Sequence, residues 1–156
     1  MPKKIKFIFV GKLKLKFWKD AEAYYLTRLK RYFDIQKIVV KDASGSLSIK
    51  DRIEKEGENI LKKIDSKDFV ITLDEKGELL TSMAFAKKLT KWMELPTKKP
   101  CFVIGGAYGV CEKVKYRSNY LFSLSSLTFT HELARAVLLE QVYRAYQIKI
   151  GSPYHH

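Results

Sequence analysis

A glycine-rich segment is the first candidate for ligand chemistry in this sequence. Residues 105–109 read Gly-Gly-Ala-Tyr-Gly, with three glycines in five positions directly after the apolar run Cys101–Ile104. Glycine lets backbone amides approach a ligand closely and tolerates a positive φ. A dinucleotide fingerprint is excluded, because Ala107 stands where G-x-G-x-x-G requires glycine. A plain glycine turn is the alternative, but the density of glycines favours a ligand loop.

A hydroxyl-rich segment from Ser123 to His131 is the second candidate. Four hydroxyl side chains fall within residues 123–128, interleaved with Leu124, Leu127 and Phe129. Hydroxyls of this kind bond backbone amides, and Thr130 is placed to cap the helix that follows. Capping explains one hydroxyl only, so the pattern indicates a shaped wall around a small molecule.

Two further groups of residues could contact nucleic acid. Arg135 and Arg144, on the same predicted helix as His131 and Gln141, are nine residues apart and project from similar faces. Either a solvated polar face or phosphate contacts explain them.

The C-terminal tail, Gly151-Ser-Pro-Tyr-His-His156, is the fourth segment. Tyr154 offers a ring for base stacking, and the imidazole of His155 exchanges a proton near neutral pH. A protonated His156 could meet a phosphate. A frayed terminus or the remnant of a purification tag are the alternatives.

Alternating strands and helices must position these segments. Apolar runs predict strands at Lys4–Val10, Ile35–Lys41, Phe69–Leu73, Cys101–Ile104 and Tyr120–Leu124. Helical spacing predicts helices over residues 16–33, from a Ser48 cap through Ile64, around Phe85–Met93, a turn at 111–117, and from His131 to about Gln147. The polar residues Asp74–Glu78 predict a turn. The predicted buried stripe of the last helix consists of Leu133, Ala134, Val137, Leu138, Val142 and Ala145.

This alternation predicts a single α/β domain with a parallel sheet covered on both faces. Ligands of such sheets bind beyond the carboxyl ends of the strands. The loops after Leu73, Ile104 and Leu124 are therefore the expected pocket.

Composition limits the class of protein. The 156 residues carry 30 basic and 17 acidic side chains, a formal net charge of +13 that would attract a polyanion such as nucleic acid. A lysine-rich proteome is the other explanation of that charge. Cys101 and Cys111 fit neither a zinc site nor a disulfide framework and are expected to be buried thiols. No signal peptide or membrane-spanning run is present, which predicts a cytoplasmic protein.

Taken together, the segments resemble the RlmH-type methyltransferases of the SPOUT superfamily, which modify N3 of a pseudouridine in large-subunit (23S) ribosomal RNA. The resemblance spans the whole chain, 1–156, as a single SPOUT domain. It rests on Val10-Gly-Lys12, Asp51–Gly57, Val70–Leu73, Val103-Ile-Gly-Gly-x-x-Gly109, Ser123–His131, Glu140-Gln-x-Tyr-Arg-Ala145 and Pro153-Tyr-His155. Thr130 departs from a usual proline, and His156 from a usual lysine or arginine.

The resemblance implies a C-terminal trefoil knot, S-adenosylmethionine (SAM) as methyl donor and no metal. It implies a homodimer whose active site is completed by the partner's tail. It implies a target in the helix 69 loop on the assembled 70S ribosome. It places cofactor contacts at Leu73, Gly105, Gly106, Gly109, Leu124, Ser125, Ser126, Leu127, Thr128 and Phe129, catalysis at Tyr154 and His155, and RNA contacts at Arg135, Arg144 and His156.

Two other classes of protein remain as alternatives. A non-catalytic ribosome-binding protein would use only the basic surface and would not bind SAM. A nucleotide-dependent oxidoreductase would bind NAD instead, although the broken glycine fingerprint disfavours it.

Overall fold

The computed structural model describes residues 1–156 as one five-stranded sheet with helices on both faces. The sheet order is β2-β1-β4-β3-β5, and every pairing is parallel. In chain order the elements are β1 Lys3–Val10, α1 Lys16–Leu29, β2 Phe33–Val40, α2 Ile49–Leu61, β3 Asp68–Leu79, α3 Ser82–Met93, β4 Lys99–Ile104, α4 Glu112–Arg117, β5 Tyr120–Ser123 and α5 His131–Lys149. The predicted α/β architecture is confirmed.

Two apolar layers explain why the strands read as continuous apolar runs. In β1, Ile5, Phe7 and Phe9 join the larger core cluster, while Ile8 and Val10 join the smaller one. Successive strand residues point to opposite faces, so a sheet covered on both sides needs apolar residues at every position. Helices α1, α3 and α5 supply the larger cluster, and α2 and α4 supply the smaller one.

The turn predicted at Asp74–Glu78 is wrong, because β3 continues through it to Leu79. The strand pairs with β5 at Leu73, bulges, and pairs again at Glu78 and Leu79. Gly77 permits this close return: a Cβ there would lie 2.7 Å from the β5 backbone at Leu121. The polar composition of residues 74–78 indicated a turn. Because Gly77 has no side chain, the segment can stay in the sheet.

Other element boundaries shift by a few residues. Helix α1 ends at Leu29 rather than Phe33, because Phe33 is already paired with Lys3 as the first residue of β2. Strand β4 begins at Lys99, two residues before the predicted start at Cys101, and contains Pro100. Helix α5 continues to Lys149.

Close packing of α2 explains an unfavourable residue inside it. A Cβ on Gly57 would collide with the Sγ atom of Cys111, so only glycine lets the two segments meet. Cys101 and Cys111 are both free and buried, as expected. Burial raises the pKa of the Cys101 thiol to about 12, which keeps it protonated at neutral pH.

Helix α5 buries less of itself than its sequence predicts. Leu138, Val142 and Ala145 are buried, but Leu133, Ala134 and Val137 are only half-buried. These last three residues lie on the first half of the helix, where one chain does not fully cover them. None of the helices is both long and apolar enough to span a bilayer.

Candidate functional site

A cavity of about 640 Å³ opens at the carboxyl edge of the sheet. It lies between the bulged part of β3 that follows Leu73 and the loops that follow β4 and β5, which are the three segments predicted to form the pocket. Of the predicted cofactor residues, all except Ser126 line it: Leu73, Gly105, Gly106, Gly109, Leu124, Ser125, Leu127, Thr128 and Phe129. The fold thus brings distant segments together as the topology predicted.

The glycine loop owes its shape to two of its three glycines in particular. Gly109 adopts φ +88° and donates its N–H to the carbonyl oxygen of Gly106 at 3.1 Å. A Cβ on Gly105 would lie 2.6 Å from the Gly109 carbonyl oxygen, so a side chain there would displace backbone. The loop therefore folds back on itself and turns main chain, rather than side chains, toward the cavity.

Gly106 is required for a different reason from the one expected. Its φ is not positive, so conformational freedom does not explain it. Instead, a Cβ there would lie 2.7 Å from Oε1 of Glu56 and 3.3 Å from Cγ1 of Val10. A side chain at Gly106 would therefore have to displace the carboxylate of Glu56, and backbone strain plays no part.

Glu56 is a supporting residue that the sequence reasoning missed. Its carboxylate is buried beneath the glycine loop, and Oε2 accepts a hydrogen bond from the Ala43 N–H at 3.0 Å. Helix α2 thereby connects the loop after β2 to the cavity wall. The signal for Glu56 in the sequence is that it lies within Asp51–Gly57, one of the segments that carry the family resemblance.

The hydroxyl-rich loop is held largely by its own side chains. Ser123 donates its hydroxyl to the Ser125 carbonyl at 2.9 Å, and the Ser125 hydroxyl accepts the Leu127 N–H at 2.9 Å. Thr130 caps α5 as predicted, accepting from Leu133 N–H at 3.3 Å. The loop is thus preorganised, and Leu127, 73% exposed, stands at the cavity rim.

The cavity is acidic relative to the rest of the chain. Its lining includes Asp74, Glu75 and Glu132 against Lys76 and Lys115, so three acidic minus two basic residues leave −1, within a chain of +13. Asp74 and Lys115 form an ion pair at 3.5 Å, and both are largely buried. None of these five residues was predicted: residues 74–76 fit an ordinary surface turn in the sequence, and Lys115 and Glu132 fit the exposed faces of helices.

Arg135 is not the exposed phosphate contact that was predicted. Its side chain is 2% exposed and donates to Glu22 through Nε at 3.0 Å and Nη2 at 2.9 Å. Nη1 donates to the Gly11 carbonyl at 2.8 Å, and the guanidinium lies 4.5 Å from the Phe9 ring centroid. This residue ties α5 to α1 and to the end of β1. A buried, paired guanidinium serves structure here.

Arg144 is also paired, but it stays at the surface. It forms a two-atom contact with Glu140, one turn earlier, at 2.8 Å and 2.6 Å. That hydrogen bond raises the pKa of Arg144, and the guanidinium lies 4.8 Å from the Tyr154 ring. Its Nη1 atom is 3.1 Å from Nδ1 of His155. Arg144 therefore anchors the tail to α5.

The tail is ordered against α5 rather than frayed. The Tyr154 ring meets the Tyr143 ring edge-on at a centroid distance of 5.0 Å. Burial, followed by the Glu140 charge, raises the pKa of Tyr154. His155 is half-buried, whereas His156 is exposed.

Within one chain the tail and the cavity are separate. The cavity meets α5 at its start, from His131 to Ala134, while the tail lies against Glu140–Arg144. Ten residues of helix from Ala134 to Arg144 correspond to roughly 15 Å. The predicted cofactor residues are therefore brought together, but Tyr154 and His155 do not join them.

A parallel α/β sheet with a ligand-sized cavity at a glycine loop defines a class of nucleotide- or cofactor-binding enzymes. A family model described as "Predicted SPOUT methyltransferase" matches residues 3–155. The chain belongs to the SPOUT methyltransferase family.

Relatives match over nearly their full length. A protein of Maridesulfovibrio salexigens named "Ribosomal RNA large subunit methyltransferase H" is 46% identical over 98% of both chains. A protein of the same name from Dictyoglomus thermophilum is 45% identical over 97% of this chain and 99% of its own. A probable methylase family protein from Haemophilus influenzae has the same fold at a TM-score of 0.57, with 13% identity over 97% of this chain and 70% of its own.

Proposed function

We propose that this protein transfers a methyl group from SAM to N3 of a pseudouridine in the helix 69 loop of 23S ribosomal RNA, acting on the assembled 70S ribosome. The observation that carries the proposal is the single cavity formed by three sequence-distant loops at the carboxyl edge of the sheet. Membership of the SPOUT family and relatives named as ribosomal RNA large subunit methyltransferases support it.

The cavity suits SAM by size and charge. A volume of about 640 Å³ is within the usual range of roughly 300 to 1,000 Å³ for small-ligand sites. Asp74, Glu75 and Glu132 suit a cationic ligand, and Lys115 suits a carboxylate. Main-chain groups of residues 105–109 suit the polar edge of a nucleobase. SAM combines a sulfonium, an amino acid end and adenosine, so each of these wall features has a matching group.

The reaction requires alignment and loss of one proton. When bound, SAM supplies a methyl group made electrophilic by its sulfonium. The imide N–H at N3 of pseudouridine must give up its proton to solvent water, and the resulting negative charge spreads onto the two flanking carbonyl oxygens until N3 accepts the methyl group. The ordered glycine and hydroxyl loops hold the methyl donor in place, which lowers the entropic part of the barrier.

The contact between Arg144 and His155 indicates how the tail would assist. A guanidinium only donates hydrogen bonds, so Nδ1 of His155 acts as the acceptor at 3.1 Å. In a neutral imidazole the proton then resides on Nε2, which becomes a donor. We infer that His155 stabilises charge on a carbonyl oxygen of the target base rather than removing its proton. Tyr154 offers its ring for stacking.

A two-fold dimer reconciles the separated tail and cavity. Phe17 and Tyr24 are more than half exposed on α1. The half-buried Leu133 and Val137 lie on α5, which packs against α1. Apolar surface of this kind typically marks a protein interface. In the proposed dimer α1 and α5 of two chains pack together, so that each tail completes the partner's cavity.

Methylation of ribosomes tests the proposal directly. The protein is incubated with labelled SAM and ribosomes that carry the pseudouridines but lack this methyl group, and the ribosomal RNA is then mapped by mass. We expect one methyl group per ribosome, on a pseudouridine of the helix 69 loop, with more label in 70S particles than in free 50S subunits. Ribosomes with uridine in place of that pseudouridine are the matched control and should take up no label.

Three results would contradict parts of the proposal. SAM binding without label in any RNA would point to another substrate. Ribosome binding without SAM binding would favour the non-catalytic basic protein. A monomer that is fully active at every concentration would exclude completion of the site by a partner's tail.

A further inference from the structure

A second groove lies beside the cavity, between α1 and the edge strand β2. Its volume is about 440 Å³. Its lining contains Lys12, Lys19, Lys30, Lys37 and Arg135 against the single acidic residue Glu22, so five positive minus one negative charge leaves +4. The groove and the acidic cavity thus have opposite net charges.

The positive charge of this groove is not neutralised within the chain. Glu22 is fully engaged, because Oε1 accepts from Lys37 at 2.6 Å and Oε2 pairs with Arg135. Lys12, Lys19 and Lys30 are exposed and form neither an ion pair nor a side-chain hydrogen bond. These three unpaired lysines surround the ion cluster of Lys37, Glu22 and Arg135. Their mutual repulsion persists unless an anion from outside the chain binds.

The groove adjoins the candidate active site across one helical turn. His131, Glu132 and Ala134 line the cavity, whereas the next residue of α5, Arg135, lines the groove. Lys12 follows the carboxyl end of β1, and parallel strands end at the same edge. A chain-like ligand that crosses the start of α5 would therefore reach both.

The groove is also distinct from the proposed dimer face. At about 100° per residue, Lys19, Ala23 and Lys30 occupy one side of α1. Phe17 and Tyr24 lie about 100° to 160° away on the same wheel. Dimerisation through the aromatic side would leave the lysines free.

We propose that this groove binds the sugar–phosphate backbone of the substrate RNA next to the nucleotide that is methylated. The inference rests on the proposed function for the identity of the RNA. Lys19 and Lys30 are eleven residues apart, or roughly 16 Å along α1, which spans several consecutive phosphates. The exposed lysines would contact phosphates, while the Glu22–Arg135 pair holds α1, β1 and α5 in register beneath them.

Matched triple variants test the groove. The first is Lys12→Ala/Lys19→Ala/Lys30→Ala. The control is Lys62→Ala/Lys63→Ala/Lys67→Ala, which removes three equally exposed charges near the opposite, amino edge of the sheet. Ribosome binding by sedimentation and methyl transfer are measured over a series of salt concentrations, beside SAM affinity and melting temperature.

We expect the groove variant to bind ribosomes about 10- to 100-fold more weakly near 0.1 M salt, with the loss in methyl transfer concentrated in KM. Its log–log salt slope should flatten by about 2, since each phosphate contact contributes about 0.7. The groove variant should bind SAM as tightly as the unmodified protein does. The control variant should bind ribosomes less than about threefold more weakly than the unmodified protein does.

Each other outcome has a stated meaning. Equal losses in both triple variants would overturn the proposal in favour of nonspecific charge attraction, and an unchanged salt slope in the groove variant would overturn it outright. If the unmodified protein binds ribosomes but methylates nothing, the proposed function fails while the binding comparison still decides the groove. If it does not bind ribosomes at all, both fail.

Discussion

The two edges of the sheet are built from similar residues and behave in opposite ways. At the amino edge, Lys6 donates to Asp68 at 2.6 Å and to the Lys63 carbonyl at 3.0 Å, and both side chains are buried. Burial opposes charge on Lys6, but the hydrogen bond to Asp68 and its negative charge raise the pKa of this lysine overall. In the groove that begins at the carboxyl edge and follows α1, by contrast, Lys12, Lys19 and Lys30 have no acidic partner.

This difference separates stability from function in the molecule. Charges satisfied inside the chain hold the amino edge closed, with Arg117 adding hydrogen bonds to the carbonyls of Asp65 and Asp68. Unpaired charges and side-chain-free loops leave the carboxyl edge able to bind something else. Changes at the first edge should therefore alter folding, and changes at the second should alter binding.

The tail should show the largest effect, because it carries chemistry without supporting either edge. We expect a chain ending at Pro153 to fold, to bind SAM and to form a dimer, but to methylate ribosomes about 10²- to 10⁴-fold more slowly, the usual range for a lost catalytic group. Initial rates, SAM affinity and molecular mass check this. His155→Ala in the full-length chain should account for much of the loss. Full activity after truncation would disprove a catalytic tail, and lost SAM binding would make it structural.

Breaking the amino-edge ion pair should give the next largest effect, on stability alone. Asp68→Ala removes the nearest partner of the buried Lys6 and leaves it only the more exposed Asp65 at 3.3 Å, so the free energy of unfolding should fall by about 3 kcal/mol. Asp34→Ala, which removes the partner of Lys4 in an exposed pair at 4.0 Å, should cost about 1 kcal/mol or less. Denaturant unfolding measures both. Weaker SAM binding by a still-folded Asp68→Ala protein would show that the two edges are coupled.

A side chain in the glycine loop should affect binding at the carboxyl edge. In Gly105→Ala the new Cβ would meet the Gly109 carbonyl oxygen, so the loop must move and SAM affinity should fall about 10- to 100-fold. Calorimetric titration measures the affinity. Gly45→Ala is the matched control, since no atom lies within 4 Å of its Cβ position. Equal SAM affinities for the two variants would show that the glycine loop is not part of the SAM site.

The smallest effect, per pH unit, is a loss of stability in alkaline solution, and its cause lies in the sheet interior. The folded Cys101 thiol has a pKa of about 12 against an ordinary 9.0, so above pH 9 the unfolded chain releases this proton and the folded chain keeps it. Stability should therefore fall as pH rises from 9 toward 12, by at most about 1.4 kcal/mol per pH unit. The free energy of unfolding of the Cys101→Ala variant, measured by denaturant unfolding at each pH, should fall less steeply between pH 9 and 10.5. Equal pH slopes for the variant and the unmodified protein would contradict the raised pKa of Cys101.

Periodicity in the sequence was enough to predict the architecture. Apolar runs and helical spacing indicated the alternating elements and the parallel sheet, and the rule that ligands bind beyond strand ends located the cavity at the three loops that line it. Local signals also predicted the Ser48 and Thr130 helix caps, which both form. These features depend on residues near one another in the chain, so the sequence contains their causes.

Long-range contacts decided what the sequence left open or indicated wrongly. Arg135 and Arg144 are both arginines on one helix, yet the partner 113 residues away, Glu22, buries Arg135, while Glu140, one turn away, keeps Arg144 at the surface. Gly77 reads as a turn residue but lies against the β5 backbone, and Gly106 is glycine because of Glu56 in α2. Whether a charge is free or neutralised, and why a glycine is needed, depend on atoms brought close only by the tertiary fold.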